Sequence, residues 1–252
     1  RQYFDNYAGG EDSKRFILHY SFPPFSVGEA GRFGGLNRRE IGHGALAERS
    51  IEPVIPAEAD FPYAMRVTSE VLESNGSSSM ATVCSGVMAL LDAGVPLIRP
   101  VGAIAVGLVT EMDENNNIKE YKTLLDIIGS EDFYGDMDFK ICGTSEGITG
   151  YQLDLKLAGV PLAILEEAVV KAAGGREKVL QKMHDTIAVP AALSEHAPRI
   201  ESTKIDPERI GELIGPGGKN IKGIQAESGA DINIEDDGTV HVYAAKKESL
   251  DR

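Results

Sequence analysis

The fold of this chain is decided by two adjoining segments, Phe61-Pro-Tyr-Ala-Met-Arg-Val-Thr-Ser-Glu-Val-Leu-Glu73 and Glu73-Ser-Asn-Gly-Ser-Ser-Ser-Met80. Apolar side chains alternate with polar or small ones through the first segment, which is the pattern of a half-buried strand. From Met80 to Ala93 apolar side chains recur at helical spacing, and Gly94 stands where a C-terminal cap is expected. The two segments therefore predict a strand that leads through a polar turn into a buried helix.

Residues Gly76 to Ser79, here called the serine turn, have the composition of an anion site. Gly76 permits a tight turn, while Ser77, Ser78 and Ser79 offer O–H and N–H donors beside the positive end of the following helix. Phosphate is the ligand that such a turn suits best. The alternative is that these serines only cap the helix, as serine does in many proteins without a ligand.

Length and charge restrict the class of protein. The chain has 252 residues and a formal net charge of −14, so a general positive field for nucleic acid is excluded and any polyanion must meet local basic groups or metal ions. No apolar run approaches the ~20 residues that span a bilayer, and the N-terminus has no secretory signal pattern, so we expect a cytoplasmic protein without membrane contact. The two cysteines, Cys84 and Cys142, lie in no metal-ligand spacing.

A basic pair follows a glycine-rich loop upstream of the serine turn. Arg38 and Arg39 precede His43, and residues 44 to 53 predict a helix. Guanidinium groups at a helix start can converge on a phosphate in bidentate fashion. A solvated basic loop is the alternative, and His43 is either a proton carrier or an ordinary hydrogen-bonding residue.

An acidic segment follows later in the chain. Asp138 and Lys140 stand two apart on a predicted strand and share one of its faces, which Asp136 joins if the strand begins early enough, while Asp132 lies in the preceding loop. Paired carboxylates suit Mg²⁺ or Mn²⁺, which prefer hard oxygen ligands. An acidic turn in an acidic protein is the alternative interpretation.

The pattern of elements predicts two domains joined by a linker. Residues 1–187 predict a layered α+β or α/β domain of strands followed by packing helices, and residues 188–198 predict a linker. Residues 199–252 predict a small β-α-α-β-β-α module. Between its first two helices lies a loop that matches the GXXG loop of KH domains, which clamps single-stranded nucleic acid; its residues are Gly215, Pro216, Gly217, Gly218 and Lys219.

Taken together and in this order, the motifs resemble the bacterial-type polyribonucleotide nucleotidyltransferases, or polynucleotide phosphorylases. The matching blocks are Phe22-Pro-Pro-Phe-Ser-Val-Gly-Glu29, Arg38-Arg-Glu-Ile-Gly-His-Gly44, Ser74-Asn-Gly-Ser-Ser-Ser-Met-Ala81, Asp92-Ala-Gly-Val-Pro96, Gly135-Asp-Met-Asp-Phe-Lys140 and Ile214-Gly-Pro-Gly-Gly-Lys219. The resemblance implies an RNase PH-like core with the fold of ribosomal protein S5 domain 2, built as β-α-β with a mixed sheet. It also implies that this is the second of two such cores, that a C-terminally truncated KH domain follows, and that the chain is part of a longer protein.

The same resemblance implies 3′-to-5′ phosphorolysis of single-stranded RNA in mRNA degradation, reversible towards polymer synthesis. Inorganic phosphate would be the co-substrate and nucleoside diphosphates the products. Ser77, Ser78 and Ser79 would bind the attacking phosphate, and Arg38 and Arg39 the scissile phosphodiester. Asp132 and Asp138 would carry Mg²⁺ or Mn²⁺, Lys140 would neutralise developing charge, and Asp138 or His43 would move the proton. A homotrimer and protein partners in an RNA-degrading complex are also implied.

Three alternatives remain open from the sequence. A hydrolase of the same fold would use water, although a water nucleophile needs no anion site. A catalytically silent RNA-binding ring subunit would have no use for the full set of charged and serine residues. A fragment that folds but lacks the other core it needs for activity is the third alternative.

Overall fold

The computed structural model describes residues 2–3, 13–31 and 38–250. The chain divides into two compact units, Arg1–Ala191 and Ala192–Arg252. The strands and helices of the first unit are, in chain order, β1 (Gln2–Tyr3), β2 (Ser13–Lys14), β3 (Phe16–Ser21), α1 (Arg38–Ile51), β4 (Met65–Glu70), α2 (Ser78–Asp92), β5 (Gly102–Met112), β6 (Ile118–Leu125), α3 (Gly129–Tyr134), β7 (Met137–Gly143), β8 (Ile148–Leu155) and α4 (Leu162–Thr186). The predicted strand and helix on either side of the serine turn are confirmed as β4 and α2.

Parallel and antiparallel pairings lie in separate sheets. Strands β3 and β4 pair in parallel, with Phe16 opposite Met65. Strands β5 to β8 form an antiparallel sheet in the order β6-β5-β7-β8. Parallel strands need a crossover connection, and here α1 lies between β3 and β4 in the chain.

The four-stranded sheet is covered on both faces at its centre. All residues of β7 and the first seven of β5 are buried, so side chains of both alternating sets are shielded from water. Helix α4 packs on this sheet through Ile164, Ala168 and Ala172. Helix α2 also contacts β5, and its Val83 and Val87 are fully buried. The burial of Asp138 and Lys140 on β7 follows from this central position.

Helix α1 begins at Arg38, so the predicted start at Gly44 is wrong. Two glycines concealed the helical pattern in the sequence. Gly44 is needed because a Cβ there would lie 3.3 Å from Cβ of Tyr20, and the helix crosses β3 closely at this point. A carboxylate oxygen of Glu40 accepts a hydrogen bond of 2.8 Å from the backbone N–H of Phe22. This bond fixes the first turn of the helix against the end of β3.

The second unit has the predicted β-α-α-β-β-α order. Its elements are β9 (Arg199–Lys204), α5 (Ile210–Ile214), α6 (Lys219–Ser228), β10 (Asp231–Ile234), β11 (Thr239–Ala244) and α7 (Lys247–Leu250). The three strands form an antiparallel sheet in the order β10-β11-β9. Within the described residues of both units, no helix combines the length and apolarity required to cross a membrane.

Candidate active site

The serine turn adopts a conformation that glycine and a short polar residue permit. Gly76 has a φ of 117°, and a Cβ at this position would lie 2.6 Å from the carbonyl oxygen of Ile127. Ser77 has a φ of 43° in the left-handed region and precedes the first residue of α2, but its side chain forms no capping hydrogen bond. The capping interpretation of Ser77 is therefore not what the structure shows. The residue before Gly76, Asn75, accepts a 2.8 Å hydrogen bond at its carbonyl from the N–H of Gly129, which joins the turn to the start of α3.

The three serine hydroxyls have different surroundings. Oγ of Ser78 lies 2.7 Å from the hydroxyl of Tyr20 on β3, in a buried hydrogen bond. Oγ of Ser77 and Oγ of Ser79 are also buried, yet neither has a hydrogen-bond partner among the described residues. Buried polar atoms are nearly always paired, so two such hydroxyls on one turn are donors that a ligand can use.

Helix α1 carries Arg39 and His43 towards this region. The guanidinium carbon of Arg39 lies 4.3 Å from the centre of the Phe22 ring, and the rings of His43 and Tyr20 are 5.7 Å apart. Burial lowers the pKa of His43 to about 4, and the positive charges of Lys140 and Arg39 add to the effect. The imidazole is therefore neutral at pH 7, and its buried Nδ1 has no partner.

Asp138 and Lys140 form a buried ion pair on β7, as two residues on the same face of a strand allow. Their exposed fractions are 9% and 5%. Burial raises the pKa of Asp138, Lys140 opposes this effect, and the negative charges of Asp132 and Asp154 reinforce it. One carboxylate oxygen of Asp138 bonds Lys140, and the other, Oδ1, is buried without a partner.

Asp132 lies on α3 at a cleft of about 700 Å³ that Arg39 and Gly76 also line. The ammonium of Lys156 bonds the backbone carbonyls of Asp132 and Phe133, at 2.5 and 2.8 Å, and so holds α3 in place. The cleft therefore brings together residues of α1, the serine turn and α3, which are far apart in the sequence.

Unpaired buried polar atoms are concentrated at this site. Of the eight such side-chain atoms in the described residues, four belong to predicted site residues: Nδ1 of His43, Oγ of Ser77, Oγ of Ser79 and Oδ1 of Asp138. Two interactions involve neighbours of these residues: Tyr20 bonds Ser78 of the serine turn, and the charge of Lys140, the partner of Asp138, acts on His43. A polar site with unused donors and acceptors can bind a charged ligand and stabilise charge that develops on it.

Of the residues predicted for the active site, Arg39 and Asp132 line the cleft, whereas Ser77, Ser78, Ser79, His43, Asp138 and Lys140 do not. Arg38 is exposed as the first residue of α1 and does not line it. Asp136 precedes β7, and its Oδ2 accepts hydrogen bonds of 2.8 Å from both the N–H and the hydroxyl of Thr110. Asp136 is therefore a structural residue that holds β5, and it does not share the face of Asp138. Residues 32–37 of the glycine-rich loop lie outside the described residues.

Sequence reasoning missed Tyr20 and Phe133. Tyr20 is buried on β3, and the sequence pattern identifies it only as one apolar residue of an alternating strand. No local spacing links Tyr20 to Ser78. Phe133 lines the cleft and is 73% exposed. Two adjacent aromatic residues after the acidic pair Glu131-Asp132 were the available signal.

Two carboxylates of the site, those of Asp132 and Asp138, suit a hard divalent cation. Oδ1 of Asp138 is a buried carboxylate oxygen without a partner, and Asp132 is close enough to affect the pKa of Asp138. No cluster of three or more His, Cys, Asp or Glu side chains suited to a metal occurs among the described residues. Two carboxylates, with water and substrate phosphate as further ligands, are typical of Mg²⁺ sites.

The GXXG loop of the second unit has backbone geometry that requires glycine. Gly215, Gly217 and Gly218 have φ values of 71°, 60° and 77°, in the region that L-residues rarely adopt. The side-chain amide of Asn220 donates a 2.9 Å hydrogen bond to the carbonyl of Glu212 and ties α6 to α5 beside the loop. Pro216, Gly217 and Lys219 are exposed, so a ligand can approach the loop backbone closely.

Each of the two units contains a match to a known protein family. Residues 5–96 match the 3′ exoribonuclease family, domain 1, and residues 200–252 match the KH domain. The polyribonucleotide nucleotidyltransferase of Akkermansia muciniphila is 73% identical over 252 residues, which are 100% of this chain and 35% of that protein. Over its whole length the chain is thus similar to one segment of a polyribonucleotide nucleotidyltransferase.

Other relatives match the chain equally completely. The polyribonucleotide nucleotidyltransferase of Methylacidiphilum infernorum is 61% identical over 99% of this chain and 36% of that protein. That of Opitutus terrae is 53% identical over 100% of this chain and 35% of that protein. The chain thus spans about a third of the length of the curated polyribonucleotide nucleotidyltransferases it matches.

A solved structure supports the fold. The crystal structure of rice Rrp46 has a TM-score of 0.53 and 14% sequence identity, over 70% of this chain and 75% of that chain. At this identity the likeness shows the fold alone. The RNase PH-like α+β core followed by a KH domain, as predicted for a polyribonucleotide nucleotidyltransferase, is confirmed.

Proposed function

We propose that the protein of which this chain is a segment shortens single-stranded RNA from its 3′ end by phosphorolysis. The observation that carries the proposal is the group of unpaired buried atoms on His43, Ser77, Ser79 and Asp138, which lie in a polar site rather than in a satisfied core. The similarity to known proteins supplies the reaction class, since these relatives are named polyribonucleotide nucleotidyltransferases.

The serine turn binds inorganic phosphate in this proposal. The hydroxyls of Ser77 and Ser79 donate to its oxygens, and the free N–H groups at the start of α2 add donors and the positive end of the helix dipole. Ser78 keeps its hydrogen bond to Tyr20 and contributes mainly by holding the turn in position.

The chemical step breaks one phosphodiester and forms one P–O bond. An oxygen of the bound phosphate attacks the phosphorus that links the last nucleotide to the chain. The bond from that phosphorus to the 3′ oxygen of the preceding nucleotide breaks, so the last nucleotide leaves as a nucleoside diphosphate. The shortened RNA takes up the proton that the phosphate loses, and the reverse of the same step adds nucleotides.

Positive side chains stabilise the charge that develops on the phosphoryl group. Arg39 lines the cleft and binds the scissile phosphodiester, and Arg38 binds RNA at the exposed start of α1. Lys140 neutralises the pentacoordinate state from its buried position beside Asp138. His43 is neutral at pH 7 and Asp138 has a raised pKa, so either group is able to pass the proton.

Asp132 and Asp138 would hold Mg²⁺, with Mn²⁺ as a substitute. The bound ion would act as a Lewis acid that polarises the phosphoryl oxygens, and it would offset the negative charge of the two carboxylates. In this proposal its remaining ligands are water and substrate phosphate, because the two carboxylates provide only part of a six-oxygen shell.

The KH domain captures the RNA strand in this proposal. The exposed backbone of Gly215 to Gly218 approaches the sugar-phosphate chain, and Lys219 supplies a positive charge beside it. We further propose that the longer protein is a homotrimer and joins other proteins in an RNA-degrading complex in the cell.

Product analysis tests the proposal. The chain and a full-length relative are incubated with single-stranded RNA and Mg²⁺, with and without phosphate, and the products are separated by chromatography. Nucleoside diphosphates that form only with phosphate support phosphorolysis. Nucleoside monophosphates in both buffers would instead establish hydrolysis, and RNA binding without any product from either protein would establish a silent RNA-binding subunit.

A further inference from the structure

A second cavity, of about 560 Å³, lies beside helix α4 and shares no lining residue with the cleft at the candidate active site. Arg176 and His184 of α4 line it, together with Thr144 and Ser145 from the turn between β7 and β8. Leu180 contributes an apolar wall. The volume falls in the range of about 300–1,000 Å³ that is typical of small-molecule sites.

Arg176 is the exceptional residue of this cavity. It is 7% exposed, and its Nε and Nη1 are buried without any hydrogen-bond partner. No described carboxylate forms an ion pair with it, although the neighbouring Glu177 also lines the cavity. Burial lowers the pKa of Arg176, and Cys142 opposes this effect. A buried guanidinium with unused donors is costly unless an anion pairs with it.

Close packing of α4 on the sheet explains why Arg176 is buried. A Cβ on Gly175 would lie 2.7 Å from Cδ1 of Ile104 and 2.9 Å from Cδ1 of Leu125. A Cβ on Gly102 would similarly lie 2.9 Å from Cγ of Leu180. The two glycines let the helix approach β5 so closely that the residue after Gly175 is covered.

The opposite wall of the cavity offers further donors. Oγ1 of Thr144 accepts a 3.1 Å hydrogen bond from the N–H of Glu146, so its own O–H proton is free to be donated. Ser145 is exposed at the rim and its hydroxyl is available as well. One buried cation and two hydroxyls thus line one cavity, while the carboxylate in its lining belongs to the exposed Glu177, which forms no ion pair with Arg176 among the described residues.

We infer that this cavity binds a small oxyanion, which the guanidinium of Arg176 and the hydroxyls of Thr144 and Ser145 hold between α4 and the β7–β8 turn. The ligand carries phosphate or carboxylate oxygens, because both match a guanidinium with two or more donated hydrogen bonds. Glu177 at the edge of the cavity repels a ligand of high charge and favours a small one. The bound anion links α4 to the sheet and makes the stability of the first unit depend on the anion concentration.

Thermal unfolding separates this site from the serine turn. A Ser77→Ala/Ser79→Ala variant, which lacks the hydroxyls proposed to bind substrate phosphate, is compared with the same variant carrying Arg176→Met. Each is unfolded in chloride buffer at constant ionic strength, with increasing inorganic phosphate in one series and acetate in another. The first series tests a tetrahedral oxyanion and the second a carboxylate.

The inference predicts a Tm increase of about 3–6 °C at an anion concentration of ten times Kd in the variant that retains Arg176. The increase should be absent with Arg176→Met. The anion to which the Tm responds identifies the chemistry of the ligand. No increase with either anion, or an equal increase with and without Arg176, would overturn the inference.

Amide NMR provides a measurement that does not depend on the stability of the Met variant. Phosphate or acetate added to the chain that retains Arg176 should shift the backbone signals of Thr144 and Ser145. Arg176→Lys, which keeps the charge but loses the planar donor group, should weaken binding at least about tenfold. Unchanged signals at Thr144 and Ser145 with both anions would contradict the site.

Discussion

The hydroxyl of Tyr20 lies 2.7 Å from that of Ser78, and this hydrogen bond joins β3 to the first residue of α2. The bond distinguishes Ser78 from Ser77 and Ser79, whose buried hydroxyls have no protein partner. Tyr20 also lies against His43 of α1, at 5.7 Å between ring centres. One tyrosine thus positions residues of the serine turn and of the basic helix relative to each other.

Removing the Tyr20 hydroxyl should destabilise the first unit. Tyr20→Phe leaves Oγ of Ser78 buried and unpaired, at a cost of about 1–3 kcal/mol in the free energy of unfolding. Ser78→Ala removes the same bond from the other side. Denaturant unfolding of both single variants and the double variant should give a double-mutant cycle with a coupling of about 0.5–1.5 kcal/mol. Fully additive losses would show that the hydrogen bond contributes nothing.

His43 should remain neutral at pH values where a free imidazole is charged. Its pKa of about 4 lies below the usual 6.5 because burial and two cations disfavour the charged form. At pH 5.5 the ring proton signals of His43 in an NMR titration should therefore still be those of the neutral ring. A midpoint near 6.5 would contradict the burial and the charge arrangement of the site.

The same shift links His43 to stability. Because the unfolded state binds the proton more readily, His43 contributes stability above pH 6.5 that is lost as the pH falls from about 6.5 to about 4. His43→Gln should make the decline in unfolding free energy across this window less steep. An unchanged slope in the variant would show that His43 has an ordinary pKa.

Asp138 should be needed for turnover and not for RNA capture. Asp138→Ala leaves Lys140 buried without its partner, so the single variant is also expected to lose about 3–5 kcal/mol of stability. The double variant Asp138→Ala/Lys140→Met removes both charges and should recover much of this loss while turnover remains absent. RNA affinity is measured by fluorescence anisotropy on the same samples.

Asp136→Asn is the matched control for Asp138. The carboxylate of Asp136 is two residues from Asp138 in the sequence, and its hydrogen bonds to Thr110 are structural. Asp136→Asn should lower stability and leave the turnover number of the folded protein unchanged. Equal loss of turnover in the Asp136 and Asp138 variants would remove Asp138 from the chemistry.

Gly217 should be needed for RNA capture and not for turnover at saturating RNA. Gly217 has a φ of 60° with open space around its missing Cβ, so Gly217→Asp adds backbone strain and a negative charge where RNA phosphate is expected. We expect RNA affinity to fall about tenfold, the effect of roughly 1.4 kcal/mol. Gly211→Asp places the same charge on α5 at a position without positive φ and should have a smaller effect. A loss confined to turnover would contradict the KH assignment.

Local patterns predicted much of the fold and the candidate site. The alternation before the serine turn and the two-residue spacing of Asp138 and Lys140 have local physical causes, so β4, α2 and the shared face of these two residues follow from the sequence. Their burial depends on the central position of β7 in the sheet. The start of α1 was misjudged because glycines disfavour a helix, and the close approach of Gly44 to Tyr20 is not visible in the sequence.

Long-range contacts limited the rest of the prediction. Neither the role of Tyr20 nor the bonding of Asp136 to Thr110 has any signal in the spacing of residues, because both depend on how distant strands pair. The unpaired guanidinium of Arg176 is likewise visible only once α4 lies on the sheet. Such sites become apparent when burial and hydrogen bonding are known for each atom.

The most direct test of the central claim is the dependence of turnover on phosphate in Ser77→Ala and Ser79→Ala, alone and combined. These hydroxyls have no protein partner, so their removal should cost little stability, in contrast to Ser78→Ala. If the serine turn binds the attacking phosphate, the combined variant should raise the KM for phosphate at least about tenfold, as expected for two lost hydrogen bonds to a charged ligand. The KM for RNA should change little. An unchanged KM for phosphate in a folded, active combined variant would contradict the account.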